Sequence, residues 1–439
     1  MNFQPLSGIR VLDFTWNVAG PTATKVLAAL GADVIKVEWP LRPDPGRAFS
    51  FSPVTPGVFD SGGFFADLNS GKRSFTVDPN TEAGREILEE IIARCNLVIE
   101  SFSARVMKGW GLGWERLQEL NESLVYVSVS GFGHTGPHAS YVSYGPTAQA
   151  VSGVTAASGR PGREPAGWGY SYLDVMTGYQ AAFASVAALR QQKETGSGAR
   201  VDLSQLETGA SLIGPLLMNA DELEAQGEAF PPGNHAVERW GQAGYRYEVG
   251  APYNVYPTAP QGEDDTDAFC AISVLTDAQW QMLAGLAAEH GHAAPDGLDT
   301  VRDRIERQAE LDAWLSDWTR EVEKFELADL LQSRGIPAAA MESGKDRIES
   351  DPSLAAREVF QATEHPFVGV HRMSSLPVLV DGRPLPAKAS WPLLGRHTDE
   401  ILAGVLGYDE GRITDLRRTG VTWPTGLPRA DKPVEEVAA

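Results

Sequence analysis

The stretch Gly8-Ile9-Arg10-Val11-Leu12-Asp13-Phe14, then Thr15-Trp16-Asn17-Val18-Ala19-Gly20-Pro21, then Leu30-Gly31-Ala32-Asp33-Val34-Ile35-Lys36-Val37-Glu38, decides the fold. Ile9–Phe14 is an apolar run that predicts a strand. Ala23–Leu30 carries helical periodicity and closes on Gly31, and Val34–Val37 predicts a second strand. Strand, helix and strand in this order make a parallel pair with a right-handed crossover. The alternation continues with a helix around Glu82–Arg94, a strand Leu97–Glu100, a short helix Trp114–Leu120 and a strand Leu124–Val129. The fold class is therefore α/β, with a Rossmann-like large domain built on a parallel sheet.

Further along, Gly131-Phe-Gly-His-Thr-Gly-Pro137 reads as a turn, and a helix rich in small residues runs from Ser171 to near Arg190. Thr195-Gly-Ser-Gly198 is a second turn, before a strand Arg200–Leu206. A smaller α/β domain follows, with a strand Ala268–Val274, a helix from Asp277, helices around Val301–Trp318 and Phe325–Arg334, and a short strand Ile336–Ala340. The expected boundaries are a large domain over 1–215 completed by 386–439, a linker over 216–250, the small domain over 251–345 and a return linker over 346–385. The tail after Pro424 is expected to fray.

The 439 residues carry a formal net charge of −21, and it is unevenly spread: residues 1–110 hold 11 basic and 12 acidic side chains, so nearly all of it lies beyond them. Such a surface repels a phosphate backbone or an anionic bilayer, so neither nucleic acid nor membrane is an expected partner. Cys95 and Cys270 form no CxxC pattern, which fits a reducing compartment. The opening MNFQPLSGIR has neither the basic nor the apolar region of a signal peptide, and every apolar run stops short of the roughly 18–20 residues that span a bilayer. A cytoplasmic location is expected.

The first βα loop has Gly20 alone where the dinucleotide fingerprint GxGxxG needs three glycines, and the chain holds no GxxxxGK[ST] and no GxSxG. His134 and His138 have helical ligand spacing, but Gly136 and Pro137 break the helix between them, so no metal site is expected and both read as turn or surface histidines. Asp174 falls in the first turn of the long helix, where free N–H groups and the positive dipole end should lower its pKa. Ser171-x-x-Asp174 also matches a purely structural capping box. Lys25, Lys36, Arg42, Arg47, Lys72, Arg73, Arg105 and Lys108 fall near strand ends and in the loops after them, either to bind a phosphorylated ligand or simply as solvated charges.

Taken in order, Gly8 to Pro21, Leu30 to Glu38, Asn69-Ser-Gly-Lys72-Arg73-Ser74, Glu100-Ser-Phe102, Ser128-Val-Ser-Gly131-Phe-Gly, Thr195-Gly-Ser-Gly198 and Leu394-Gly-Arg-His397-Thr resemble the family III CoA-transferases of the formyl-CoA, carnitine and benzylsuccinate types. The match runs through most of the chain and is weakest over Ala220–Gly250. The resemblance implies an enzyme that moves CoA from an acyl-CoA, with succinyl-CoA a family-level donor, to a free carboxylic acid. Asp174 is the implied nucleophile, acting through aspartyl anhydride and aspartyl-CoA thioester intermediates. No permanently bound cofactor is implied, since the coenzyme A thioester is itself a substrate.

The same resemblance places Trp16, Val18, Ala19, Lys72, Arg73, Ser101, Phe102, Arg105 and Lys108 at the CoA site, and Trp16, Asn17 and Tyr144 at an acyl pocket, although Trp16 also has a plain packing role open to it. Two departures stand out: Trp16 and Val18 replace a histidine and a glutamine common in the family, and Gly109 replaces an arginine. Val18 cannot hydrogen-bond a small dicarboxylate, which disfavours formate or oxalate and favours a larger acid. A related fold, the 2-methylacyl-CoA racemases, would need a histidine where Tyr144 stands, and a tyrosine, with an ordinary pKa of about 10, is a poor base at neutral pH. The resemblance further implies an interlocked dimer, most simply a homodimer, with a heteromer containing a paralogous subunit, or a non-catalytic CoA-binding partner subunit, as the alternatives.

Overall fold

The computed structural model describes residues 3–47, 59–156, 158, 170–214, 250–262, 265–387 and 389–423. Six strands, β1 (Arg10–Phe14), β2 (Asp33–Glu38), β3 (Arg73–Thr76), β4 (Leu97–Glu100), β5 (Val125–Ser130) and β6 (Ala199–Ser204), form one sheet in the order β3-β2-β1-β4-β5-β6, with every neighbour parallel. Among the described residues, eight α-helices lie in the same stretch: α1 (Ala19–Ala29), α2 (Gly63–Asn69), α3 (Glu82–Ile92), α4 (Arg105–Gly109), α5 (Trp114–Leu120), α6 (Gly145–Val151), α7 (Tyr172–Thr195) and α8 (Gln205–Leu212).

The strands are apolar on both faces because helices cover both. Leu12, Phe14, Ile35, Val37 and Val98 pack with Ile87, Leu88 and Ile91 of α3 on one face. Val11, Val34, Leu97, Ile99 and Val127 pack with α1 and α7 on the other. Small residues of α7 set its distance from α1: a Cβ at Gly178 would come within 2.6 Å of the Ala19 carbonyl oxygen. This contact packs the second turn of α7 on the first turn of α1 at the carboxyl end of the sheet. α7 runs on past Arg190 to Thr195 and stops at Gly196, whose φ of 75° is left-handed.

Contacts divide the chain into two compact units, one drawn chiefly from residues 1–227 and 356–439, the other chiefly from 228–355. The second is built on an antiparallel sheet ordered β7 (Tyr253–Pro257), β8 (Phe269–Ser273), β9 (Ala338–Ala340), over a core that includes Trp280, Leu283, Leu315, Trp318 and Leu331. The expected single helix over Val301–Trp318 is two, Val301–Glu306 and Gln308–Thr319, broken at Arg307.

Elsewhere the structure departs from the expectation for identifiable reasons. β3 is only four residues long, and three of them are polar, so its pattern is invisible in sequence. It exists because residues 394–398 cover it: Gly395 N–H donates to Ser74 Oγ (2.9 Å), Ser74 N–H to His397 Nδ1 (3.1 Å) and Thr76 N–H to Thr398 Oγ1 (3.1 Å). The 346–385 stretch, expected as a return linker, holds the helix Pro352–Ala356 and an antiparallel hairpin of β10 (Phe360–His365) and β11 (Gly369–Ser374). Its strands are too mixed in polarity to read as alternating. Apart from Gly250, the expected linker 216–250 lies outside the described residues, and so does the tail beyond Pro424.

Charges are packed under the carboxyl ends of β1 and β2, where an apolar core would be the default. Lys72 Nζ lies 3.2 Å from Asp13 Oδ2, and Lys36 Nζ lies 2.9 Å from Asp44 Oδ2. Arg47 grips Glu38 with both arms (2.8 and 2.7 Å), pairs with Asp60 and donates to the Pro392 carbonyl (3.1 Å). All of these side chains are buried. Lys36, Arg47 and Lys72 are thus neither ligand hooks nor solvated charges but partners in internal pairs. Burial brings the Lys72 ammonium down to about 7 despite Asp13 beside it. Removing one member of such a pair strands its partner, so Arg47→Met should destabilise the chain by about 3–5 kcal/mol; urea unfolding of the two proteins measures this, and a loss under 1 kcal/mol would contradict it.

Candidate active site

The sheet order reverses between β1 and β4, and in such sheets ligands bind in the crevice at the strands' carboxyl ends there. A cavity of about 340 Å³ occupies that position. Trp16–Ala19 after β1 form one wall, Ser101 after β4 and Val129–Gly131 at the end of β5 another, and Tyr144–Pro146, Tyr170–Ser171, Asp174 and Gln205 close it. The loop after β1 is held backbone atom by backbone atom: Thr15 N–H donates to Asp13 Oδ1 (2.8 Å) and Trp16 N–H to Ser101 Oγ (2.9 Å).

Asp174 is 9% exposed, at the third position of α7. The capping box does not form: Ser171 makes no side-chain cap bond to the helix backbone. Its hydroxyl instead bonds the Asp174 carboxylate, and Gln205 Nε2 donates to Oδ1. A Cβ at Gly145 would collide with Oδ2 and lie 3.1 Å from Ser171 Oγ, so glycine is what lets α6 approach the carboxylate. The expected lowering of the Asp174 pKa is reversed. Burial raises it, and the bonds from Gln205 and Ser171 only partly offset that. Gln205 was not legible as a site residue because the strand read as Arg200–Leu206 ends at Ser204, which caps α8 by accepting Glu207 N–H (3.4 Å). The Ser204-x-x-Glu207 spacing was the available signal.

Of the residues the resemblance singled out, Trp16, Asn17, Val18, Ala19, Ser101, Tyr144 and Asp174 meet in this cavity. Phe102 lies just outside it, edge-on to Trp16 at 5.0 Å. Together with Trp39, Arg42 and Trp110, Trp16 and Phe102 line an adjoining slot of about 100 Å³, and the Arg42 guanidinium lies 5.9 Å from the Trp16 ring centre. Lys72 and Arg73 do not reach either space. Lys72 is committed to Asp13, and Arg73 pairs with Asp33 (2.6 Å) at the amino-terminal edge of the sheet, the opposite end from the cavity. Arg105 and Lys108 are exposed on α4 and line neither. A basic residue near a strand in sequence can lie at either end of it, and only the tertiary structure decides which.

Beneath Ser101 and Phe102, the buried Glu100 carboxylate accepts from Phe102 N–H (2.7 Å) and Tyr126 Oη (3.0 Å). His134 is not a surface histidine: its ring is tucked in, with Nε2 3.3 Å from the Phe102 carbonyl oxygen and 3.5 Å from Glu100, and burial lowers its pKa. Among the described residues no group of three or more His, Cys, Asp or Glu side chains could hold a metal, and no helix is long and apolar enough to cross a membrane.

Fold and cavity define an α/β enzyme with a carboxylate sunk at the switch point of a parallel sheet. The chain belongs to CoA-transferase family III, which matches it over residues 6–398. It is 33% identical to a formyl-CoA:oxalate CoA-transferase of Rhodopseudomonas palustris, across 96% of this chain and 98% of that protein. It is 30% identical to a succinyl-CoA–D-citramalate CoA-transferase of Chloroflexus aurantiacus, across 94% and 97%. A solved CaiB/BaiF family protein from Brucella suis superposes with a TM-score of 0.79 at 28% identity, covering 92% of this chain and all of that one. The protein is a CoA-transferase.

Burial pushes the Glu100 carboxyl up to about 8. The folded protein therefore keeps a proton there that the unfolded chain releases near an ordinary glutamate pKa, so this group's contribution to stability falls as pH rises from about 4.5 towards 8. Glu100→Gln should flatten that fall, giving a melting temperature that drops less than wild type between pH 5 and pH 8. Parallel melting curves would contradict the assignment.

Proposed function

We propose that the chain transfers coenzyme A from an acyl-CoA donor, with succinyl-CoA the expected one, to a free carboxylic acid, with the Asp174 carboxylate as nucleophile. The observation that carries this reading is the placement of Asp174: a buried, partly desolvated carboxylate lining the switch-point cavity, held by Gln205 and left approachable by Gly145. Asp174 attacks the thioester carbonyl, forming a mixed anhydride and freeing the CoA thiolate. The thiolate attacks the aspartyl carbonyl, releasing the donor acid and leaving an aspartyl thioester. The acceptor carboxylate attacks that thioester, giving a new anhydride, and the thiolate takes its acyl group to restore Asp174. The rest of coenzyme A is proposed to run along the adjoining slot, where Arg42 suits a phosphate.

Val18 and Trp16 in the wall favour an acid bulkier than oxalate. Tyr144, 71% exposed, stands where a racemase would need its histidine, which supports transfer over racemisation. A homodimer belongs to this reading, since Tyr170, Tyr179 and Phe183 leave an aromatic stripe exposed beside the cavity.

Asp174→Asn should lower turnover by at least about 10³-fold while CoA still binds and the chain still folds. Turnover near wild type would defeat the mechanism. Since Asp174 must be ionised to attack, the acid limb of kcat/KM should lie above the ordinary 3.8, and Gln205→Leu, which removes a bond to the charged form, should move it to still higher pH. A limb that stays put would count against Gln205. Mass spectrometry of succinyl-CoA with oxalate, succinate, D-citramalate and benzylsuccinate tests the size preference, and faster transfer to oxalate than to the bulkier acids would reverse it.

A further inference from the structure

We propose that Lys36 and Asp44 are positioning residues of this pocket, clamping Asn17 in a left-handed conformation so that the Trp16–Ala19 wall discriminates among incoming acids. The proposal rests on the assignment of the cavity to acyl transfer. Asn17 has φ 62°, a conformation that L residues rarely adopt and that asparagine tolerates better than most. The peptide groups around it are held from three sides. Lys36 Nζ donates to the Thr15 carbonyl (2.6 Å), Trp16 N–H donates to Ser101 Oγ (2.9 Å), and Asn17 N–H donates to Asp44 Oδ1 (3.1 Å). Two of these three anchors are one unit, because Lys36 and Asp44 are themselves paired at 2.9 Å with both side chains fully buried.

Asp44 also ties the wall to its far side. Its Oδ1 accepts Gly46 N–H (2.8 Å) and its own N–H donates to Glu38 Oε1 (3.2 Å), so the loop that carries Arg42 against Trp16 is registered by the same residue. Neither Lys36 nor Asp44 lines the cavity, so both act through Asn17 and Trp16. With the clamp loosened, Asn17 relaxes to negative φ, its side chain leaves the wall, and the Trp16 ring loses its setting. The nucleophile on α7 is untouched, so selectivity should suffer more than chemistry.

The test compares kcat/KM, with succinyl-CoA as donor, for the smallest and bulkiest acids accepted among oxalate, succinate, D-citramalate and benzylsuccinate. Asp44→Ala should shift that ratio by about tenfold or more. Asp44→Asn keeps an acceptor for the Asn17 amide but leaves the Lys36 ammonium without its partner, so it should shift the ratio less than Asp44→Ala does. Amide hydrogen exchange at Trp16–Asn17 with CoA present should accelerate more in the first variant than in the second. The double variant Lys36→Met/Asp44→Asn removes the pair without stranding a charge, so it carries the test if Asp44→Ala does not fold, and it too should shift the ratio. An unchanged ratio and unchanged exchange in folded Asp44→Ala or in the folded double variant overturn the clamp alone. Turnover by Asp174→Asn would overturn the pocket assignment beneath it, so the two failures are told apart.

Discussion

Taking three cations out of water beneath β1 and β2 is the constraint on which the rest of the first unit depends. Lys36, Arg47 and Lys72 are tolerable there only because Asp44, Glu38, Asp60 and Asp13 meet them at bonding distance, and each carboxylate arrives on a different piece of chain. Glu38 comes from β2, Asp13 from β1, Asp44 from the loop after β2, and Asp60 from just before α2. Misplacing any one of these segments leaves a buried charge unpaired, at a cost of several kcal/mol. The network therefore enforces one arrangement of the loops at the carboxyl end of the sheet, which a purely apolar core would not do so sharply.

That arrangement shapes the cavity. Asp13 and Lys36 take hold of Thr15, Asp44 takes hold of Asn17, and the wall they fix stands at the same cavity as the first turn of α7. Gly178 draws α7 down onto α1, and Gly145 lets α6 close over Asp174. At Asp174 two opposing effects meet: a helix amino terminus favours the anion, while burial disfavours it, and burial prevails. A carboxylate that is short of solvent but still approachable suits the nucleophilic role proposed for it.

Much of this was legible because it is local. The strands β1, β2, β4 and β5 read directly as apolar runs, and α3 and α5 as periodic segments, since parallel strands and their covering helices carry their burial in their own composition. The cluster of Trp16–Ala19, Ser101 and Asp174 was legible only through the order of motifs along the whole chain, because nothing in the local pattern around Asp174 distinguishes a reactive carboxylate from a helix cap. β3 was missed because its neighbours, not its own residues, make it a strand. Gln205 was missed because a strand and a helix meet at Ser204 without a break in polarity.

By itself, then, the sequence determined the α/β class, the crossover at the amino terminus, the family and the aspartate on which the chemistry is proposed to turn, since each is written in contiguous patterns or in their order. Tertiary structure alone decided which basic residues line the cavity or its adjoining slot and which are internal. Lys72 and Arg73 are adjacent in sequence, yet one is sealed against Asp13 and the other pairs with Asp33 at the far edge of the sheet, while Arg42, in an irregular loop, reaches Trp16. It also decided the sign of the shift at Asp174. Burial is a property of what packs around a residue from elsewhere in the chain, and no window of neighbouring residues encodes it.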